Sequence, residues 1–157
     1  MPDMLVRLLD LPPLEPELER MKQLGVVLRR SLPFEASKVR AFVEAHFGQS
    51  WADEISVGYA NKPTTVYIAV KEGRVVGFGA YECTCRAFFG PTGVAEAERG
   101  NGIGRALLIA CLWGLREMGY AYGIIGGAGP TEFYSKAVGA VEIPGSSPGV
   151  YAHPLRD

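Results

Sequence analysis

A chain of 157 residues is long enough to form one domain with a substantial hydrophobic core. The composition is that of a globular protein, with 48% hydrophobic and 21% charged residues, and the formal net charge of −1 gives no overall field that would attract nucleic acid. No apolar stretch approaches membrane-spanning length and no signal-peptide pattern opens the chain, so we expect a cytoplasmic protein with no nucleic-acid or membrane partner.

The cysteines support neither a disulfide framework nor a metal site. Cys83 and Cys85 are two positions apart on a predicted strand, a same-face spacing that seldom suits a disulfide, and Cys111 lies on a predicted helix. The two histidines, His46 and His153, do not complete a zinc-ligand spacing. We therefore expect reduced thiols and no metal.

The first 25 residues precede the main pattern of elements. We interpret residues 1–25 as an N-terminal extension with a short helix over residues 14–24, and residues 26–157 as the principal domain. Pro12-Pro13 stops regular structure before that helix. We expect the extension to pack within the chain. Packing on a partner subunit is the alternative, and a homodimer formed through the extension or the last strands is a hypothesis.

The remaining residues predict alternating strands and helices. The predicted strands are 25–32, 64–70, 75–83, 87–94, 122–125, 140–143 and 149–155, and the predicted helices are 35–47, 50–59, 102–118 and 130–138. The order is β-α-α-β-β-β-α-β-α-β-β. Three consecutive strands can pair as an antiparallel meander, whereas the strand–helix–strand unit over residues 87–125 requires a right-handed crossover and a parallel pair. We therefore predict an α/β fold with a mixed sheet and helices on its faces.

The strand over residues 87–94 is interrupted by Gly90, Pro91 and Gly93. Proline cannot donate to a strand ladder, and glycine inside a strand often marks a bulge or a close backbone approach. We predict an irregular strand that leaves some of its N–H groups unpaired.

A glycine-rich loop follows this strand and precedes a long helix. Gly100, Gly102 and Gly104 stand at alternate positions, so backbone N–H groups can turn toward a phosphate at the start of the helix. The chain has no Walker motif, and the glycine that a dinucleotide fingerprint needs is replaced by Arg105. These absences argue against a P-loop and against a dinucleotide fingerprint. A nucleotide-binding oxidoreductase stays a rival that the lack of a thermal shift with NAD or FAD would exclude. A loop that serves only a tight turn remains the alternative.

Two segments point to a family. Arg99-Gly100-Asn101-Gly102-Ile103-Gly104 resembles the Arg/Gln-x-x-Gly-x-Gly/Ala signature of the GCN5-related N-acetyltransferase (GNAT) family. Phe133-Tyr134-x-Lys136, followed by Gly139-Ala140, is similar to the helix-to-strand segment that follows the fifth strand of that family. The resemblance runs from about Val26 to the C-terminus, together with a similar order of elements. It implies a GNAT-like fold.

The resemblance also implies an activity and a cofactor. The expected activity is acetyl-CoA-dependent transfer of an acetyl group directly to a primary amine of a small molecule or peptide. The alternative is a non-catalytic acyl-CoA-binding regulatory or interaction domain with the same fold. Backbone groups of the glycine loop would hold the pyrophosphate, and the Val94 N–H would polarise the thioester carbonyl. The implied cofactor-binding residues are Val94, Glu96, Arg99, Gly100, Asn101, Gly102, Ile103, Gly104, Arg105 and Tyr134.

Two catalytic groups are expected, a proton donor and a base. Tyr134 matches the tyrosine of the family motif, which would return a proton to the leaving thiolate; its alternative role is a core pair with Phe133. For the base that accepts the proton of the amine we favour Glu82, because it alternates with apolar neighbours on a strand that could face the cleft. The other candidates for the base are Glu54, Glu96 and His153.

Two further features concern the ligand cleft. We expect Trp51 and the loop near Ser146 to line the acceptor side. The end of the fifth predicted strand carries Gly126-Gly127-Ala128-Gly129, where the family often has an asparagine. The loss of that amide removes one contact and widens the expected cleft.

Overall fold

A computed structural model describes residues 1–157, and the chain is built on one seven-stranded sheet. The strands are β1 Met4–Arg7, β2 Val26–Arg30, β3 Val66–Lys71, β4 Arg74–Tyr81, β5 Phe88–Val94, β6 Tyr122–Ile125 and β7 Val141–Glu142, and the helices are α1 Glu15–Gln23, α2 Ala36–Phe47, α3 Gln49–Ser56, α4 Ile103–Glu117 and α5 Thr131–Val138. The strand order is β2-β3-β4-β5-β6-β1-β7, and only β5 and β6 are parallel. The predicted mixed α/β fold is confirmed. None of the helices combines the length and hydrophobicity needed to cross a bilayer.

Strand β1 was not predicted from the sequence. It lies between β6 and β7 and is antiparallel to both, with Met4 opposite Ile125 and Leu5 opposite Val141. Met4 and Val6 are buried in the main core. The segment interpreted as an extension therefore contributes a strand to the same sheet as residues 26–157.

The prediction of a strand at residues 149–155 is wrong. Residues Gly149–Tyr151 form a single 3-10 turn, no strand follows, and β7 is only two residues long. Pro148 and Pro154 lie at either end of the predicted strand and cannot donate to a ladder. The position beside β6 is already taken by β1.

Helices cover both faces of the sheet at its centre. Helix α4 lies close against β4, where a Cβ on Gly79 would be 3.1 Å from the sulfur of Cys111. On the opposite face, the ring of Phe47 from α2 lies so close to Gly93 of β5 that a Cβ there would be 2.4 Å from it. These two glycines allow helices and strands to approach closely, as the sequence indicated.

Strand β5 contains the predicted irregularity. The register against β4 runs from Gly79 opposite Thr92 to Tyr81 opposite Phe89, so β5 uses one residue more than β4 over this stretch. This is a bulge at Gly90–Pro91, and the prediction of an irregular strand is confirmed. On its other side, β5 is paired with β6 only at Phe88 and Phe89. Beyond that point the two strands are no longer joined, and a gap opens between them.

Helix α1 is tied to the beginning of α4. The carboxylate of Glu17, which is only 3% exposed, accepts a hydrogen bond from Arg105 of α4 and forms an ion pair with Arg20 of its own helix. Met21, also buried, lies beside Gly102. The first helix therefore supports the loop from which α4 starts.

Replacement of Glu17 by glutamine tests this support. We expect Glu17→Gln to lower the free energy of unfolding by about 1–2 kcal/mol, because Arg105 and Arg20 lose the charge that pairs with both. The measurement is equilibrium urea denaturation at neutral pH. Glu19→Gln is the control, since Glu19 is exposed on the same helix and forms no ion pair. Equal stability of the two variants would contradict the role assigned to Glu17.

Candidate functional site

The N-terminus of α4 presents unpaired backbone donors. Gly100 and Gly102 adopt φ values of +85° and +81°, and Gly102 caps the helix in a left-handed conformation. The first bond of the helix runs from the Ala106 N–H to the Gly102 carbonyl at 3.1 Å. The N–H groups of residues 103–105 therefore precede the helical ladder, at the positive end of the helix dipole and with no acidic residue in the first turn. Such an end binds a phosphate or pyrophosphate.

The side chains of the loop are bonded within the protein. Arg99 donates from Nε to the Val94 carbonyl at 3.1 Å, and Asn101 donates to the Glu98 carbonyl at 3.2 Å. Glu98 forms an ion pair with Lys71 at 3.2 Å. Together with the Arg105–Glu17 pair, these contacts hold the loop in shape. They leave the backbone N–H groups as its free donors, and the binding roles predicted for the side chains stay predictions.

Glu96 stands in the exposed turn at the start of the loop and forms no ion pair. Val94 lies at the end of β5, and its N–H faces away from β4. The Ala95 N–H bonds to the Val76 carbonyl at 2.8 Å, and Val94 stands opposite Gly77. In an antiparallel ladder this makes Val94 and Gly77 a non-hydrogen-bonded pair, whose N–H groups point outward. The Val94 N–H therefore points to the side on which β6 has already ended.

Tyr134 is 7% exposed and lies on α5 at the inner end of the gap. Its ring meets Phe89 edge-on at 6.4 Å and Phe133 edge-on at 5.1 Å. Phe89 is the last residue of β5 that is paired with β6. Burial raises the pKa of the Tyr134 phenol above its ordinary value, so the group stays protonated over the working range of pH. The ring is thus a protonated core residue that contacts Phe89 and is not part of the cavity lining described below, so the proton-donor role of Tyr134 stays a prediction.

The Glu82 side chain has a structural role. It adopts φ +58° directly after β4, and its carboxylate accepts the Ala87 N–H at 2.8 Å and the Tyr120 hydroxyl at 2.7 Å. Both oxygens are therefore engaged in fixing the connection from β4 to β5 against the segment that leads into β6. Glu82 does not line the cavity described next, so its placement does not favour the predicted role as a base.

A cavity of about 580 Å³ occupies the gap between β5 and β6. Its wall takes residues from β5, from the end of β6, from α3 and from both ends of the chain. The lining residues are Met1, Ser50, Trp51, Glu54, Thr84, Phe88, Phe89, Gly90, Pro91, Gly126, Gly127, Ser147, Pro148, Tyr151 and Pro154. The structure thus places Trp51 and the residue next to Ser146 in this wall. His153 is exposed and outside it.

Glu54 carries the only charged side chain in the lining. One of its oxygens accepts the Thr84 hydroxyl at 2.9 Å, and the carboxylate takes part in no ion pair. Burial raises its pKa, which the Thr84 hydrogen bond partly offsets. The signal for it in the sequence is the three-residue spacing from Trp51, which puts both side chains on one face of α3.

Tyr151 covers the end of β6. A Cβ on Gly127 would lie 3.4 Å from the Tyr151 ring, and one on Gly126 would lie 2.9 Å from Phe88. The glycines at these positions thus leave room for two aromatic walls. Burial, followed by the charge of Glu54, raises the pKa of Tyr151. The expected acceptor side is therefore aromatic on two sides, with one carboxylate.

The acetyltransferase (GNAT) domain model matches residues 62–137, a stretch that contains β3 to β6, the glycine loop and Tyr134. The resemblance inferred from the sequence is thereby confirmed. No curated protein matches the chain.

Solved structures share the fold. A GCN5-related glucosamine N-acetyltransferase region of a fungal multi-domain GH3 β-N-acetylglucosaminidase superposes with a TM-score of 0.72 at 19% identity, over 90% of this chain and 19% of that one. A GCN5-related N-acetyltransferase from Sphaerobacter thermophilus gives 0.69 at 20% identity, over 90% of this chain and 48% of that one. The present chain therefore spans less than half of either protein.

A GNAT family acetyltransferase from Brucella melitensis was solved in complex with acetyl-CoA. It superposes with a TM-score of 0.57 at 25% identity, over 71% of this chain and 80% of that one.

The structural role of Glu82 can be measured directly. We expect Glu82→Ala to lower the free energy of unfolding by about 2 kcal/mol and Tyr120→Phe by about 1 kcal/mol, because each change leaves a hydrogen-bonding partner unsatisfied. The effects should be less than additive in the double variant, since both remove the same contact.

Chemical denaturation of the four proteins gives these values. Glu72→Ala is the control, because Glu72 also has a positive φ but is exposed in the β3–β4 turn. Strict additivity, or a Glu82 variant no less stable than the Glu72 variant, would show that the Glu82 bonds contribute nothing.

Proposed function

We propose that this protein transfers the acetyl group of acetyl-CoA to a primary amine of a small molecule or peptide, since residues 62–137 match the acetyltransferase (GNAT) domain model. The observation that carries the proposal is the gap between β5 and β6. Strand β5 lines the cavity, which holds a single carboxylate, at Phe88–Pro91, and at its other end it leads into the loop before the N-terminus of α4. The acetyl-CoA complex of the Brucella protein supports the choice of donor.

The residues present fit this donor. The N–H groups of residues 103–105 and the dipole of α4 suit the pyrophosphate, and no acidic side chain of the first turn opposes its charge. The two left-handed glycines of the loop, Gly100 and Gly102, keep side chains out of the cradle. Acetyl-CoA, when bound, supplies a thioester whose leaving group is a thiolate.

Two groups beside the gap suit the charges that develop in acetyl transfer. The Val94 N–H faces the gap and would donate to the thioester carbonyl oxygen as it gains negative charge. Tyr134 would donate its proton to the sulfur of the departing thiolate. Its raised pKa keeps that proton in place until the sulfur becomes basic.

We assign the acceptor side to Glu54 rather than to Glu82. The Glu54 carboxylate lines the cavity with one oxygen unengaged by the protein, whereas both oxygens of Glu82 accept hydrogen bonds. The bound ammonium ion first gives one proton to Glu54, directly or through water, so that the neutral nitrogen can attack the carbonyl carbon. The second proton that the nitrogen loses on bonding passes to water. The reaction needs the ionised carboxylate. Since the pKa of Glu54 is raised, kcat/KM should increase with pH as this group loses its proton.

Gly102→Ala tests the pyrophosphate site. Alanine in a left-handed conformation costs about 1–2 kcal/mol, which should distort the start of α4 and weaken CoA binding about tenfold. The measurement is calorimetric titration with CoA. Gly119→Ala is the matched control, because Gly119 also has a positive φ but follows the opposite end of α4 with open space around it. Equal loss of affinity in both variants would mean that the loop does not bind CoA.

Tyr134→Phe tests the proton donor. We expect kcat to fall about 100-fold, with the KM for acetyl-CoA nearly unchanged, because the ring and its packing are kept while the proton is lost. Steady-state release of the CoA thiol is the readout. Tyr122→Phe removes a phenol on the exposed face of β6 and should have wild-type activity.

An unchanged kcat in Tyr134→Phe would mean that another group donates the proton to the leaving thiolate. Tight CoA binding by the unmodified protein without turnover of any amine would instead indicate a non-catalytic acyl-CoA-binding regulator.

A further inference from the structure

We propose that the acceptor is a primary monoamine with an apolar body about the size of a phenyl ring. Its amine binds at Glu54, and its body lies among Trp51, Phe88 and Tyr151. This inference rests on the proposed function and narrows its substrate class.

The charge of the cavity favours an acceptor with a single amine. Glu54 has the only charged side chain in the lining, it is half-buried, and it has no cationic partner in the protein. A carboxylate in an apolar surrounding is stabilised by a single cation. A second ammonium group, as in a diamine or polyamine, would find no second carboxylate in the lining, because Asp3 is outside it with Oδ1 bonded to the Gly127 N–H at 2.8 Å. It would also meet the positive charge of the Met1 amine, which bonds to Ser147.

Free polar side chains are scarce in the cavity. The cavity has three hydroxyl side chains besides Tyr151, namely Ser50, Thr84 and Ser147. Thr84 already donates to Glu54, and Ser147 accepts a bond from the terminal amine at 3.4 Å. An amino sugar, which brings several hydroxyl groups, would leave most of them without partners at a cost for each. An apolar body incurs no such cost.

The Trp51 wall of the cavity is held in place by packing. The Trp51 ring stacks on Phe47 at 5.4 Å and meets Phe78 edge-on at 6.2 Å, while 36% of Trp51 stays exposed. Phe47 is itself packed over Gly93 of β5. Trp51 is thus held in place on one side and open to the cavity on the other. A wall fixed in advance suits a flat apolar ligand, because little side-chain freedom is lost on binding.

The experiment compares acceptors on the full chain with saturating acetyl-CoA, by release of the CoA thiol. We expect kcat/KM for 2-phenylethylamine to exceed that for putrescine and for glucosamine by at least about tenfold, the ratio that 1.4 kcal/mol of binding gives. A preference for putrescine or glucosamine would overturn this inference and leave the proposed function intact. No thiol release with any amine would overturn both.

Two variants locate the acceptor. Trp51→Ala should raise the KM for 2-phenylethylamine about tenfold and leave the KM for ethylamine, which lacks the ring, within about twofold. Glu54→Gln should lower kcat/KM for both amines about 100-fold, because each loses the carboxylate at its nitrogen. Asp53→Asn is the control, since Asp53 is exposed on the same helix and pairs with Arg40. Equal effects of Trp51→Ala on both amines, or no effect of Glu54→Gln, would contradict the assigned position.

Discussion

The end of pairing between β5 and β6 is the constraint on which the site depends. The last bond between them runs from the Gly126 N–H to the Phe89 carbonyl at 3.3 Å, and beyond it each strand loses its partner on that side. Unpaired N–H groups must be satisfied by something other than the sheet. The bulge at Gly90–Pro91 bends β5 at the same place. A cavity therefore opens beside this irregularity, the Val94 N–H points away from β4, and β5 leads the chain toward the start of α4.

In the proposed function, backbone groups bind the donor and side chains bind the acceptor. The donors that suit a pyrophosphate are backbone N–H groups, while the side chains of Arg99 and Arg105 hold the loop and connect it to α1. On the proposed acceptor side, side chains form the wall, namely aromatic rings and one carboxylate. In the proposed function, the donor and the acceptor would therefore meet different parts of the chain.

Much of the fold could be predicted from the sequence, because its helices and strands have strong periodicity and clear caps. The glycine loop and Tyr134 were recognisable as motifs, whereas Glu54 was one of several carboxylates and only its position in the folded cavity distinguishes it. Strand β1 could not be predicted, since it is four residues long, has no hairpin signal and pairs with residues far away in sequence. The prediction for residues 149–155 failed because Pro148 and Pro154 cannot donate to a ladder, and Gly149–Tyr151 form a 3-10 turn instead.

The most direct test of the account is a titration of the ¹⁵N-labelled protein with CoA, followed by the chemical shifts of its backbone amides. We expect the largest changes at Gly102, Ile103, Gly104 and Arg105, with a further change at Val94. Pantetheine, which lacks the pyrophosphate, should shift Val94 and leave the start of α4 unchanged. Binding of CoA with no change at residues 102–105 would contradict the central claim that the glycine loop and the N-terminus of α4 form the pyrophosphate site.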